Sequence, residues 1–140
     1  SLGGVYKLGA IEDENGALQP VIKISEEPGK TTIPGALSLV RYLNDDGVFA
    51  GDTIVDAVDA QTLVKDGILA RDVASRRLLD PYPLRIFKAG TRAYLPLAPL
   101  LRDGVCVAGA ETITNARHYA QAQLEKLDTS HRRQLNPHRY

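Results

Sequence analysis

The sequence predicts a β-rich α+β domain in which hairpins come first and helices last. Two observations carry this expectation. Asn-Gly and Asp-Gly turns separate short apolar runs up to residue 58, and after residue 110 the apolar period lengthens to three and four residues. The 140 residues are enough for one compact unit with a core of its own. They divide into a hairpin region over 1–58, a loop-rich mixed stretch with short strands over 59–109, and a helical segment over 110–140.

Residues Val5 to Glu12 alternate in the manner of a strand, and Asp13-Glu-Asn-Gly16 reads as the turn of a hairpin. Val21 to Ser25, with Ile22 and Ile24 on one face, is expected to return as its partner. Lys7 and Lys23 then lie in adjacent antiparallel strands, pointing away from the core. A charged loop leads to a second hairpin, Ala36 to Leu43 and Val48 to Val58, around Asn44-Asp-Asp-Gly47. Val58-Asp59-Ala60 reads as an exit into a loop, because Asp is depleted from strand interiors. Asp66-Gly67 and Asp103-Gly104 are further turns, and Asp80-Pro-Tyr-Pro83 is a break before a short strand at Leu84 to Lys88. Pro96 and Pro99 keep Tyr94 to Leu101 from being a central strand. Ile113, Ala116, Ala120, Leu124 and Leu127 mark an amphipathic helix. Asp128 or Thr129 can cap a second one through Leu135, stopped by Pro137.

Formal charge is balanced, with 17 basic and 17 acidic residues, which gives no support for nucleic-acid binding through a basic face. No run approaches the roughly 18 apolar residues of a membrane-spanning helix. Cys106, the only cysteine, stands between two valines and reads as a small buried hydrophobe in a reducing compartment. The chain contains no Met, opens on Ser1-Leu-Gly-Gly and is expected to be a piece of something longer.

Gly29-Lys30-Thr31-Thr32 imitates the end of a nucleotide-binding P-loop. The imitation fails at both ends: Ile24 occupies the place of the first glycine, and Pro34 would disrupt the helix that must open at the lysine. His118, His131 and His138 lack metal-ligand spacing, and no Gly-x-Ser-x-Gly elbow is present. Arg71, Arg76, Arg77, Arg85 and Lys88 form a modest basic cluster, which reads as a solvated face or, alternatively, a small-anion site. No catalytic or metal-binding constellation is apparent.

Five stretches in order carry a resemblance: "SLGGVYKL" at 1–8, "VIKISEEPGKTTIPG" at 21–35, "GVFAGDTIV" at 47–55, "LAPLLRDGVCV" at 97–107 and "NPHRY" at 136–140. Together they resemble the C-terminal portion of nicotinate phosphoribosyltransferase. The resemblance implies an irregular α/β barrel of the type II phosphoribosyltransferases with a β-rich domain, this chain supplying its β-rich α+β end. It implies a cytoplasmic homodimer of NAD biosynthesis, with active sites near the subunit interface. Such an enzyme joins nicotinate to phosphoribosyl pyrophosphate, with ATP hydrolysis and Mg2+, and neither is expected to bind this segment alone. The phosphorylated histidine and the phosphate loop of the family lie upstream, so the segment itself is expected to be inactive without the remainder of the enzyme.

Lys7, Lys23, Lys30, Thr31, Pro34, Gly35 and Arg41 match the family's tail pattern. Of these, Lys7, Lys23 and Arg41 are the candidate substrate-binding residues near the barrel mouth, with a structural role as the alternative. Ala36-Leu37-Ser38 departs from the basic residue usual after Pro-Gly, and the match over 59–92 is loose. The competing expectation is a non-catalytic binding or scaffold domain related to the family.

Overall fold

The core of the molecule is assembled from short elements around one well-formed hairpin. A computed structural model describes residues 6–27, 30–75, 85–109 and 112–133. Strand β1 is Ala10–Glu12, β2 Leu18–Pro20, β3 Leu37–Leu43 and β4 Phe49–Asp56. Helix α1, Ala57–Leu63, leads into β5 at Val64–Lys65 and β6 at Ile68–Leu69. Then come β7 at Val73–Ser75, β8 at Arg85–Phe87, β9 at Ala93–Tyr94, β10 at Leu101–Arg102, β11 at Val105–Cys106 and α2 at Ile113–Glu125.

The central sheet has the order β4-β3-β9, all antiparallel. Alternation along β3 buries Val40 and Tyr42, and β9 sets Ala93 beside Tyr42 on its outer side. Leu63 of α1, Leu69 of β6, Val73 of β7 and Phe87 of β8 close the same cluster. Tyr42, fully buried, stacks on Phe87 with ring centroids 3.7 Å apart and planes 13° from parallel. This contact joins the sheet to the β7–β8 ribbon, which is paired Val73 to Phe87 and Ser75 to Arg85. Burial pushes the Tyr42 hydroxyl above its ordinary pKa of 10.0, so it stays protonated over the physiological range.

The turns behave as their residues dictate. Asp66-Gly67 and Asp103-Gly104 both adopt positive φ at two successive residues, the requirement of a tight hairpin turn. The first hairpin does form around Asp13, but its return strand is Leu18–Pro20 rather than Val21 to Ser25. The reason lies in Asp13, whose carboxylate accepts from the amides of Asn15 and Ala17, while its own N–H donates to Ala17 O at 2.9 Å. These bonds close the loop at Ala17 and start the pairing three residues early. Lys7 and Lys23 accordingly lie just outside the paired segments, and both are exposed.

The stretch expected to leave β4 as a loop is instead helix α1. Asp56 caps it, its side chain accepting from Val58 N at 2.8 Å, and Ala60 and Leu63 turn inward one helical step apart. Cys106 is exposed rather than buried: β10–β11 is a two-residue ladder whose four residues are all exposed. Helix α2 begins at the Thr112 cap and ends at Lys126, so Leu127 falls outside it. None of its residues is buried. The expected second helix is, over 128–133, a turn held by His131 N to Asp128 O at 3.0 Å. Val5, the Asp80 to Pro83 break, Leu84, Leu135, Pro137 and "NPHRY" lie outside the described residues.

Two outcomes test this packing. A Cβ at Gly51 would stand 2.9 Å from Phe87 Cζ, so Gly51→Ala must displace a ring held by Tyr42. Denaturant unfolding is expected to show a loss of about 1–3 kcal/mol, typical of overpacking. Asp13 is held below its ordinary pKa of 3.8 by its bonds from Ala17, Gln19 and Asn15. Its contribution is therefore complete above 3.8 and is lost as pH falls through the lower folded-state value. Protection of the Asn15 and Ala17 amides relative to open chain should fall in that acid range, and Asp13→Ala should abolish the acid step.

Candidate functional site

Two of the three candidate site residues, Lys7 and Lys23, line an open concavity of about 770 Å³ beside the first hairpin. It is built from three chain segments that meet at Gly9. The Gly9 carbonyl accepts from Val21 N at 2.9 Å and from Gly35 N at 2.7 Å. A Cβ on Gly9 would stand 3.0 Å from Gly35 O, so a side chain there would push the segments apart by a few tenths of an ångström. From this crossing, residues 6–8 and 21–23 with Ser25, Lys30 and Thr32 form the walls. Tyr6, Leu8 and Val21 supply apolar surface, and Lys7, Lys23 and Lys30 supply three ammonium-bearing side chains.

The pairing explains the convergence. Ala10 faces Pro20 in β1–β2, and continuing that register sets Lys7 opposite Lys23. Lys30 arrives by a different route. The loop after Lys23 closes where Thr32 Oγ1 accepts the Lys23 N–H at 2.8 Å and Thr32 N donates to Lys23 O at 3.3 Å. Lys30 also pairs with Glu27 at 2.7 Å, an exposed contact of small energetic weight. Between Lys30 and β3 no helix opens, so the P-loop reading is closed on structural grounds as well. Sequence reasoning missed Thr32 and left Lys30 off the binding set. Nothing in local periodicity marks either, since both depend on how the loop closes.

Arg41, the third candidate, lies elsewhere. The β3–β4 register sets it directly across from Asp52, and the guanidinium binds that carboxylate through Nε at 2.8 Å and Nη2 at 2.6 Å. Its plane also lies 4.5 Å from the Phe49 ring centroid. The Arg71 to Lys88 cluster is likewise tied up in part. Lys88 pairs with Asp72 at 2.8 Å, and Arg85 donates to Ala50 O; Arg76 and Arg77 lie outside the described residues. His118 is exposed on α2, His131 belongs to the turn after it, and His138 lies outside the described residues. Among the described residues no three His, Cys, Asp or Glu side chains converge as metal ligands.

The family model described as the nicotinate phosphoribosyltransferase C-terminal domain matches residues 38–140. The chain belongs to the nicotinate phosphoribosyltransferase family. Aligned over its whole length, it is 29% identical to the human nicotinate phosphoribosyltransferase and 30% identical to that of Bacillus subtilis (strain 168). It is 28% identical to the nicotinate phosphoribosyltransferase of Dictyostelium discoideum. The chain spans about a quarter of the length of these relatives: 24%, 27% and 23% respectively. The matched domain begins inside β3, so the lysine-bearing arm precedes it, while the whole-length alignments to nicotinate phosphoribosyltransferases include both.

The Arg41–Asp52 pair gives a further expected outcome. Both side chains are about four-fifths buried, at 22% and 20% exposure, so losing one leaves the other's charge poorly solvated. Arg41→Ala should lower stability by roughly 1–3 kcal/mol in chemical unfolding, and Arg41→Lys, which keeps the charge without the fork, should recover only part of it. An unchanged unfolding midpoint in Arg41→Ala would show that the pair is not structural.

Proposed function

We propose that this chain is the C-terminal part of a nicotinate phosphoribosyltransferase that makes nicotinate mononucleotide and pyrophosphate from nicotinate and phosphoribosyl pyrophosphate, with ATP hydrolysis. Its contribution is electrostatic. Lys7 and Lys23, joined by Lys30, bind the diphosphate of phosphoribosyl pyrophosphate and stabilise the negative charge that grows on it as the bond to the ribose carbon breaks. The observation that supports this reading is the convergence of these three lysines on one concavity in a chain whose net charge is zero. Lysine suits such a role, because a compact point charge on a long stem follows a phosphate group as it moves, where a fixed guanidinium fork would not. Arg41 we assign to the sheet rather than to substrate, because its fork is engaged by Asp52.

The remaining assignments rest on the same reading. Magnesium and ATP we assign to the remainder of the enzyme. The exposed apolar residues Leu97, Leu100, Leu101, Val105 and Ile113 fit contact with the rest of the enzyme, in a homodimer. The exposed thiol of Cys106 suits a reducing, cytoplasmic setting. By itself the 140-residue chain is expected to form no nicotinate mononucleotide.

Steady-state kinetics on the intact enzyme test the proposal. Lys7→Ala and Lys23→Ala should each lower kcat/KM for phosphoribosyl pyrophosphate by at least about tenfold, while KM for nicotinate stays near its original value. An unchanged kcat/KM for phosphoribosyl pyrophosphate, or a rise in KM confined to nicotinate, would count against diphosphate binding by these lysines.

A further inference from the structure

We propose that Thr32 is a positioning residue that aims Lys23 into the concavity. The inference rests on the diphosphate reading of the lysines and adds a residue to it. Thr32 is 6% exposed, a buried hydroxyl-bearing side chain. It is buried in a region where little else is: Ile22 and Ile24, on either side of Lys23, are both exposed. Packing therefore does not orient this stretch, and it lies beyond the ladder of β1 and β2. Its direction is set by hydrogen bonds from Thr32. The hydroxyl accepts the Lys23 N–H at 2.8 Å, and the Thr32 N–H donates to the Lys23 carbonyl at 3.3 Å.

Two bonds to the two ends of one residue fix its backbone dihedrals and hence its Cα–Cβ vector. The β-branched side chain suits this, because χ1 of threonine has few accessible wells and the buried methyl holds it in one. A long lysine stem loses rotamer freedom when its ammonium is fixed on a phosphate. Fixing the stem's root beforehand lowers that cost, which is preorganisation of a binding group by a residue that does not touch the ligand. The same closure brings Lys30 to the concavity, since it lies in the loop that Thr32 shuts.

The test is a double-mutant cycle on the intact protein, with inorganic pyrophosphate as probe and calorimetry as readout. Thr32→Val removes the acceptor at nearly constant shape and is expected to weaken pyrophosphate binding by about two- to tenfold, with Thr32→Ser restoring most of it. In a Lys23→Ala background the same substitution should cost clearly less affinity, only what is lost through Lys30, while still lowering the melting temperature. An equal loss in both backgrounds, or an unchanged affinity in Thr32→Val alone, overturns the positioning role and leaves the lysine site standing. If Lys23→Ala itself leaves pyrophosphate binding unchanged, the lysine reading falls and takes the Thr32 inference with it. Hydrogen exchange in the unsubstituted protein gives a reading that needs no variant. The Lys23 amide should be protected, and exchange at the rate of open chain would overturn the clamp.

Discussion

The stack of Tyr42 on Phe87 is the contact on which the rest of the molecule depends. The described elements outside β3, β4 and α2 are short, and strands of two or three residues hold no stability of their own. Four of them, β6, β7, β8 and β9, each send a side chain into a shared core. Tyr42 makes that core possible: with Ala93 beside it and Phe87 over its face, it ties β3, β9 and β8 together. Leu63 and Leu69 then bring in α1 and β6. Gly51, opposite Tyr42 in the ladder, leaves the room the second ring needs.

That core reaches the lysines through backbone rather than through packing. β3 is fixed by its buried face, and the residues just before it inherit the constraint. Ala36 O accepts from Ala57 N at 2.7 Å at the start of α1, and Gly35 N donates to Gly9 O at 2.7 Å. Gly9 in turn accepts from Val21, and Val21 stands two residues before Lys23. A line of main-chain bonds thus runs from the buried sheet to the rim of the concavity. Main-chain bonds of this kind hold position at modest net stability. They leave Lys7, Lys23 and Lys30 exposed.

Much of this was legible in the sequence, and the misses share a physical cause. The β3–β4 hairpin followed from alternating apolar residues around an Asp-Gly turn, a signal local enough to survive any tertiary context. The return strand at Leu18–Pro20 was misplaced because an Asp13 carboxylate that accepts two amides sets the loop length, and side-chain bonding is invisible to periodicity. Helix α1 was missed although Asp56 is a good cap, since seven residues give too short a period to outweigh the strand before them. Lys7 and Lys23 could be singled out as candidates, and hairpin register places them opposite each other. Arg41 matched the family's tail pattern equally well, but its partner Asp52 becomes apparent only once β3 and β4 are aligned residue by residue.

The contrast between Arg41 and Lys23 shows how one chain separates a cation bound within its scaffold from one left to solvent. Both are cations near the start of the fold, and both match the tail of a phosphoribosyltransferase. Arg41 is placed by a paired strand, and a strand that fixes the side chain also fixes its counter-ion; the charge is consumed within the sheet. Lys23 sits where pairing has ended, so no cross-strand carboxylate is delivered to it by register. A cation left over in this way would ordinarily sample many directions. A buried threonine that grips only the main chain fixes the root of the stem and leaves the ammonium group to solvent, which is the combination that diphosphate binding by a flexible side chain requires.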